Sequence, residues 1–400
     1  MLKKSVFFII AIAGVAIASL IWNPFQADNP TQYSDTQEQQ SQTREYWIKA
    51  EEILWDYAPS YPVDEMMGME FNEDQLVFVE NTPNQIGRIY RKAVYSSYTP
   101  QFKEIIDGPD RVISAKTGEI KKIRQSGSSD EHLGLLGPTI RAEVGDRVII
   151  HFKNETRYPV SLHSNGLFYS KANEGIPYQD GTSGLEKADD AIAPNDTYTY
   201  VYEVPESSAP TSEDLSSIVW PYYSATDLVK DVNSGLIGAI IVYSRGSLDP
   251  QTNLPQGIDR EFVNIYQVID ENSSLFLDEN IKEFTKASID RDDEDFIESN
   301  LMHGINGLLY SNLKGLDMKQ NDEVRWYIVG LGTEVDIHTP HWHGNTLLDD
   351  GHRVDTTEVF PATVRVLDML ADDPGVWMYH CHVDDHIDAG MSAVYKVDPV

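Results

Sequence analysis

The chain has 400 residues, with 31 lysines and arginines against 64 aspartates and glutamates, and a net charge of -33. That balance argues against a nucleic acid or an anionic membrane surface as partner, since either would be repelled, and it suits solubility and the attraction of cations. The length fits two or three domains, each able to bury a core, and a single cysteine excludes a disulfide framework.

In chain order, Met1-Leu2-Lys3-Lys4 precedes an apolar run from Val6 to Trp22. A positive segment before an apolar one reads as an export signal. The run is near the lower limit for a spanning helix, so residues 1–26 are read as a signal peptide or a single N-terminal membrane anchor. Both place the rest of the chain in an extracytoplasmic location, secreted or held at the outer face of the cell membrane. Residues 27–42 are polar without an apolar period and are expected to be a flexible linker.

From 43 to 246 the chain reads as a first β domain. Short β-rich runs recur at Gln75–Val79, Arg147–Phe152, Tyr198–Tyr202 and Leu236–Tyr243, punctuated by Gly, Pro, Asn and Asp. This pattern predicts a sandwich or barrel. A Pro/Gly-rich link over 246–257 separates it from a second domain, 259–400. The two share an internal repeat. Gly145-Asp146-Arg147-Val148 precedes His163-Ser164-Asn165-Gly166 much as Asn321-Asp322-Glu323-Val324 precedes His341-Trp342-His343-Gly344.

The second domain carries the chemistry. Six of the 11 histidines, and the only cysteine, lie in two runs, His338-Thr-Pro-His341-Trp-His343 and His380-Cys381-His382-Val-Asp-Asp-His386-Ile-Asp-Ala-Gly-Met391. A thiolate with two imidazoles and a thioether is the ligand set of a blue, type 1 copper site. We assign His338, Cys381 and His386 as its strong ligands and Met391 as the weak axial one. His341 and His343 alternate along a strand and so share a face, as do His380 and His382. These four imidazoles are expected to converge on a second, type 2 or type 3 copper region. Zinc prefers closed tetrahedral sets, which explains neither the axial Met nor the doubled His-x-His.

This stretch, with Asp355, Phe360-Pro361-Ala362-Thr363 and Gly375-Val376-Trp377, resembles the C-terminal cupredoxin domain of the multicopper ferroxidases of the ceruloplasmin and hephaestin family. A weaker resemblance extends from about Tyr46 onward. The first domain is also similar to the A domains of coagulation factors V and VIII, most densely at Asp227–Asp231 and Ser234–Gly238. The resemblance implies an all-β chain of two cupredoxin-like Greek-key β-sandwich domains. It also implies that the first domain should supply two more His-x-His pairs to a trinuclear copper cluster. Those pairs are broken here, into His163-Ser164-Asn165 and Tyr223-Ser224-Ala225, leaving His163 as the one candidate ligand. Glu298, His303 and Asp385 match the residues that hold a divalent iron beside the type 1 copper. The stretch from Lys171 through Glu174, Asp180, Glu186, Asp189 and Asp190 offers carboxylates and a backbone carbonyl suited to Ca²⁺, and matches the calcium stretch of the clotting-factor domain.

The expected function is that of a copper oxidoreductase. A metal ion, Fe²⁺ or Cu⁺, or a small reductant would give electrons to the type 1 copper, and these would pass through Cys381 to the second copper site. Two-domain relatives usually assemble as trimers, so a homotrimer is expected, with domain two facing domain one of a neighbour. The alternatives are a nitrite-reductase-like enzyme, with His343 and His380 joined by His163 of a neighbour, and a non-enzymatic blue-copper electron carrier. The family's O2-reducing cluster takes eight imidazoles and this chain offers five, so full reduction of O2 to water is expected to be poor.

Overall fold

The computed structural model describes residues 41–400, except 110–111, 115–119, 122–127 and 287. The expected export segment and nearly all of the expected linker therefore lie outside the described residues. Among the described residues, no helix is long and apolar enough to cross a membrane.

Alternation in the sequence becomes alternation in burial. In the strand Arg147–Asn154, residues Val148, Ile150 and Phe152 point into the core while Arg147 faces solvent. The strands of the first half used below are β1 (Thr43–Asp56), β2 (Ile89–Tyr98), β3 (Ile140–Glu143), β4 (Arg147–Asn154), β5 (His163–Ser164), β6 (Thr197–Glu203), β7 (Ser217–Tyr223) and β8 (Ile237–Tyr243). Those of the second half are β9 (Arg260–Asp270), β10 (Leu301–Ile305), β11 (Asp317–Lys319), β12 (Glu323–Gly330), β13 (Pro340–Trp342), β14 (Val364–Leu370), β15 (Gly375–Cys381) and β16 (Ser392–Asp398).

The repeat seen in the sequence extends to the topology. One sheet of the first half runs β6–β4–β1–β2, and its counterpart in the second half runs β14–β12–β9–β10. The other sheets run β5–β7–β8–β3 and β13–β15–β16–β11. Parallel pairs occupy the same places, β1 with β4 and β9 with β12, β3 with β8 and β11 with β16. Asn321 and Gly145, which open the repeated turn, both adopt positive φ, 73° and 99°.

Between the first-half sheets pack Ile48, Phe152, Tyr95, Tyr200 and Tyr222. Between the second-half sheets pack Trp326, Trp342, Tyr379 and Ile328. Each aliphatic side chain so buried contributes about 1.5–3 kcal/mol. A third cluster joins the halves, setting Val219 and Ile241 against Val263, Ile265 and Val329. A fully buried ion pair between Lys92 and Glu271, with the Tyr57 hydroxyl donating to Glu271 at 2.5 Å, also spans them. The described residues belong to one compact unit.

One expected strand is a helix. Residues Gln75–Val79 lie in α1 (Glu73–Val79). Asn72 accepts from the Gln75 N–H, and the Gln75 side chain accepts from the Asn72 N–H. This capping box satisfies two orphan donors of the first turn, and local capping outweighs the β propensity of Val and Phe. The other helices used below are α2 (Leu228–Asn233), α4 (Glu294–Glu298) and α5 (Asp384–Asp388), with α3 (Leu277–Phe284) between them.

Candidate metal centre

The chain leaves β15 at Cys381, makes the single turn of α5 and returns into β16 through Met391. Backbone bonds close this loop. The Cys381 N–H donates to the Met391 carbonyl at 3.0 Å, and the Met391 N–H donates to the His386 carbonyl at 2.8 Å. His338 arrives from the other side, bonded in both directions to Val359 at 2.9 Å. The ligand atoms of His338, Cys381 and His386 all lie within 4.8 Å of one another, and all three residues are buried. His338 Nδ1 is 3.1 Å from His386 Nδ1, which is 3.6 Å from Cys381 Sγ. Two donors each about 2.0–2.3 Å from one metal lie about 3–4 Å apart, so the set fits a shared ion. Met391 is fully buried beside them.

Proton positions favour metal binding. His338 Nε2 lies 3.2 Å from Asp336 Oδ1, which can only accept, so that nitrogen carries the hydrogen and Nδ1 turns a lone pair toward Cys381 and His386. Burial would raise Asp336, but hydrogen bonds from His338 and from the Val268 and Thr333 N–H groups hold it below the ordinary carboxylate value. Burial would likewise raise the Cys381 thiol. The His338 and His386 rings and the Thr339 N–H beside the sulfur bring it down to about 6, toward the thiolate that metals require. In the sequence, the only sign of Asp336's role is its position two residues before His338.

The second cluster is on the neighbouring face. His341, His343 and His380 have ring nitrogens within 4.8 Å of one another. His380 Nε2 lies 3.2 Å from His341 Nδ1 and 3.1 Å from His343 Nε2. His380 Nδ1 faces the Cys381 carbonyl at 2.7 Å and must donate to it, so Nε2 is a bare lone pair aimed at two more imidazoles. Burial and the neighbouring histidines push His380 down to about 4. His382 is exposed and stays outside the triad, its ring 5.2 Å from that of His341 and 5.5 Å from that of His380.

His163 sits far from this cluster in the chain but in the equivalent place of the first half. The register β5/β7 sets His163 opposite Tyr223, as β13/β15 sets His341 opposite His380. Tyr223 donates its hydroxyl to Asn165 at 3.0 Å, filling the space of two imidazoles. His163 Nδ1 contacts the Glu174 carbonyl, and burial lowers its pKa. Gly166 and Gly344 match too. Each has positive φ, and a Cβ would strike Trp220 or Trp377 respectively at 2.2 or 2.4 Å.

The remaining candidates are less closely gathered. Glu298, at the end of α4, and Asp385, in α5, are exposed. His303 is buried, its ring 5.4 Å from His386, and burial lowers it to about 4. Its Nδ1 donates to the Leu301 carbonyl at 2.9 Å, leaving Nε2 bare. These three residues are not among the groups whose ligand atoms lie within 4.8 Å of one another. In the proposed calcium stretch, Lys171 pairs with Glu174 and with Asp180 at 3.1 Å, and Lys187 pairs with Asp180 at 3.1 Å and Asp190 at 3.3 Å. Asp189 is fully buried, with one oxygen accepting from the Gly175 N–H at 2.7 Å and Oδ1 without a hydrogen-bond partner. Glu186 is exposed.

Two paired β-sandwiches with a Cys–His–His cluster beside a cluster of histidines define a cupredoxin-type copper protein. Multicopper oxidase family profiles match residues 132–247 and 279–400, together more than half of the chain. Ferroxidase HEPHL1 of Homo sapiens is 43% identical over 360 residues, covering 89% of this chain and 29% of the relative. Ceruloplasmin of Homo sapiens is 37% identical over 357 residues, covering 88% of this chain and 31% of the relative. Hephaestin of Homo sapiens is 37% identical over 362 residues, covering 88% and 28%. The chain thus spans less than a third of the length of these relatives. A crystal structure of a multicopper oxidase superposes with TM-score 0.53 at 18% identity, covering 89% of each chain. A blue copper oxidase from Nitrosomonas europaea superposes with TM-score 0.51 at 16% identity, covering 89% of this chain and 86% of the other. The chain belongs to the multicopper oxidase family, a family of copper oxidoreductases.

Proposed function

We propose that the chain is a ferroxidase-like copper oxidoreductase of two cupredoxin domains, 43–246 and 259–400. A type 1 copper would be held by His338, Cys381 and His386 together with Met391, and a second copper site by His341, His343 and His380 with His382 at its margin. The observation that carries this reading is the junction of the two clusters. Consecutive residues of β15, His380 and Cys381, serve different clusters, and His380 Nδ1 donates back to the Cys381 carbonyl at 2.7 Å. Bound copper would supply one-electron redox chemistry. The chain supplies a short covalent and hydrogen-bonded connection between the sites, a buried low-dielectric setting and fixed imidazole orientations.

Glu298, His303 and Asp385 suit an Fe²⁺ substrate site. Carboxylates favour the more highly charged ion, which helps the electron leave. His303, with a bare Nε2 and its ring against His386, would join that site to the type 1 copper. The apolar run of the N-terminus supports an extracytoplasmic location, by secretion or by a membrane anchor. A homotrimer would bring His163 of one subunit toward the histidine cluster of the next. Calcium at Glu174, Asp180, Asp189 and Asp190 is supported by the unpartnered Asp189 oxygen, and it must displace the Lys171 and Lys187 ammonium groups.

The deciding experiment measures Fe²⁺ oxidation, O2 uptake and bound copper on one preparation, beside nitrite reduction by a reduced dye. Ferrous turnover lost in Glu298→Ala with Asp385→Ala, and retained blue colour, is the expected result. Nitrite turnover with two coppers per chain, lost in His163→Ala, would replace this reading with the nitrite-reductase-like one. Neither activity, with one copper per chain, would leave an electron carrier.

A further inference from the structure

Each imidazole of the second cluster has to be aimed. His380 is held through its own ring, whose Nδ1 donates to the Cys381 carbonyl at 2.7 Å. His341 Nε2 faces the Asp355 carboxylate at 3.8 Å. His343 lacks such an aid. Its Nε2 points at His380, 3.1 Å away, and among the described residues its Nδ1 makes no hydrogen bond. It also stands just beyond the last rung of the β13/β15 ladder, Trp342 with Tyr379. The aim of its ring therefore depends on how its backbone is held.

Beyond the His343 N–H, which donates to the Met378 carbonyl at 3.0 Å, that backbone is held through its carbonyl. The carbonyl accepts from the Tyr395 hydroxyl and, at 2.9 Å, from the Asn345 N–H. The Asn345 amide donates to the Tyr395 oxygen at 3.0 Å, and its Oδ1 accepts from the Asp373 N–H at 3.1 Å. Tyr395, in β16, and Asn345, in the turn after β13, are 1% and 2% exposed.

The first half forms the same turn without these two side chains. Strand register makes Asn165, Leu167 and Ile240 the counterparts of His343, Asn345 and Tyr395, since Trp220 pairs with Ile240 as Trp377 pairs with Tyr395. There the Leu167 N–H donates to the Asn165 carbonyl, again at 2.9 Å. Leu167 and Ile240 both lie in the apolar core of that half. Burying a hydroxyl and an amide costs free energy unless both are fully bonded. Where an apolar pair supports the same turn, the polar pair needs another reason. The two halves differ at that turn in the ligand pair itself, whole at His341 and His343 and broken at His163 and Asn165.

We propose that Tyr395 and Asn345 are positioning residues for His343, fixing its backbone so that Nε2 stays turned toward the second copper site. This rests on the copper reading of that site given above. Neither side chain is a ligand; each acts through the His343 carbonyl.

The test compares the copper-loaded full chain with Tyr395→Phe, which removes one oxygen, and with Tyr395→Ile plus Asn345→Leu, which copies the first half. In chelator competition, Tyr395→Phe should hold the second equivalent of copper about 10-fold more weakly, and the double variant more weakly still. The type 2 EPR signal should change its hyperfine splitting, while the blue band stays as in the wild type. Equal affinity and an identical type 2 signal in both variants would overturn the proposal and leave the second copper site standing. Loss of the blue band together with the second copper would also overturn it, because the pair would then support the whole domain rather than His343. A wild type with a blue band and no further copper would remove the second copper site, and the positioning role with it.

Discussion

The second half of the molecule holds a metal-ready loop, and the first half holds the same loop without the ligands. In the second half the Thr339 N–H reaches Cys381 Sγ at 3.4 Å, the Cys381 N–H reaches the Met391 carbonyl at 3.0 Å, and the Met391 N–H reaches the His386 carbonyl at 2.8 Å. In the first half the Ser161 N–H reaches Ser224 Oγ at 2.9 Å, the Ser224 N–H reaches the Leu236 carbonyl at 3.1 Å, and the Leu236 N–H reaches the Asp231 carbonyl at 3.2 Å. Bond for bond, Ser224 stands for Cys381, Leu236 for Met391 and Asp231 for His386. Val160, bridged to Ile192, stands for His338, bridged to Val359. The two halves thus share the loop's hydrogen bonds, and the candidate ligands are a separable layer upon them. Ser224 fills part of the vacated space by donating to Asp231 Oδ2 at 2.6 Å. Asp231 Oδ1 is buried with no hydrogen-bond partner, and burial raises this carboxyl to about 6.

The comparison can be broken most sharply by making the second loop resemble the first. Cys381→Ser should abolish the intense visible thiolate-to-copper band, while circular dichroism stays that of the folded β protein. A band that survives would mean that the cysteine is not the ligand. The converse is to write the ligands back. Val160→His, Ser224→Cys, Asp231→His and Leu236→Met together should add a second blue site, read as an increase in both band intensity and bound copper. A folded quadruple variant that gains no copper would show that the shared hydrogen bonds are insufficient to place ligands.

A smaller effect comes from the proton on Asp231. Below about pH 4 the carboxyl is protonated in the folded and unfolded chains alike. Because its folded value is about 6 against the ordinary 3.8, stability falls as pH rises through that window and stays lower above it. At roughly 1.4 kcal/mol per unit, the loss is on the order of 3 kcal/mol. Asp231→Asn should gain stability relative to wild type by about that amount between pH 4 and 7, measured by denaturant unfolding. Parallel curves for the two proteins would remove Asp231 from the account. The smallest expected effect is at Asp336, whose counterpart chemistry the first half lacks along with the histidine. Asp336→Asn should weaken copper binding about 10–100-fold, by loosening the orientation of His338. Unchanged affinity in a competition titration would reduce Asp336 to a structural role.

The sequence by itself determined the candidate ligand loop. Cys381, His386 and Met391 are separated by one short turn, so any fold that places Cys381 at a strand end gathers them. Alternation in Arg147–Phe152 likewise dictates a strand, because burial of every second residue requires it. Sequence also marked the broken pairs at His163 and Tyr223. Tertiary structure decided what depends on partners distant in the chain. The register of β13 against β15 sets His341 opposite His380 and leaves His382 outside, 39 residues being closed by strand pairing rather than by spacing. Asp336 acquires its role only because His338 turns one nitrogen toward it and the other toward Cys381. Asn72 overrode the β propensity of Val77 and Phe78 through side-chain hydrogen bonds that an apolar pattern does not report. The correspondence of Asp231 with His386 was hidden because the residues share no chemistry; what they share is the backbone bond at Leu236 and Met391, and only the folded chain forms it.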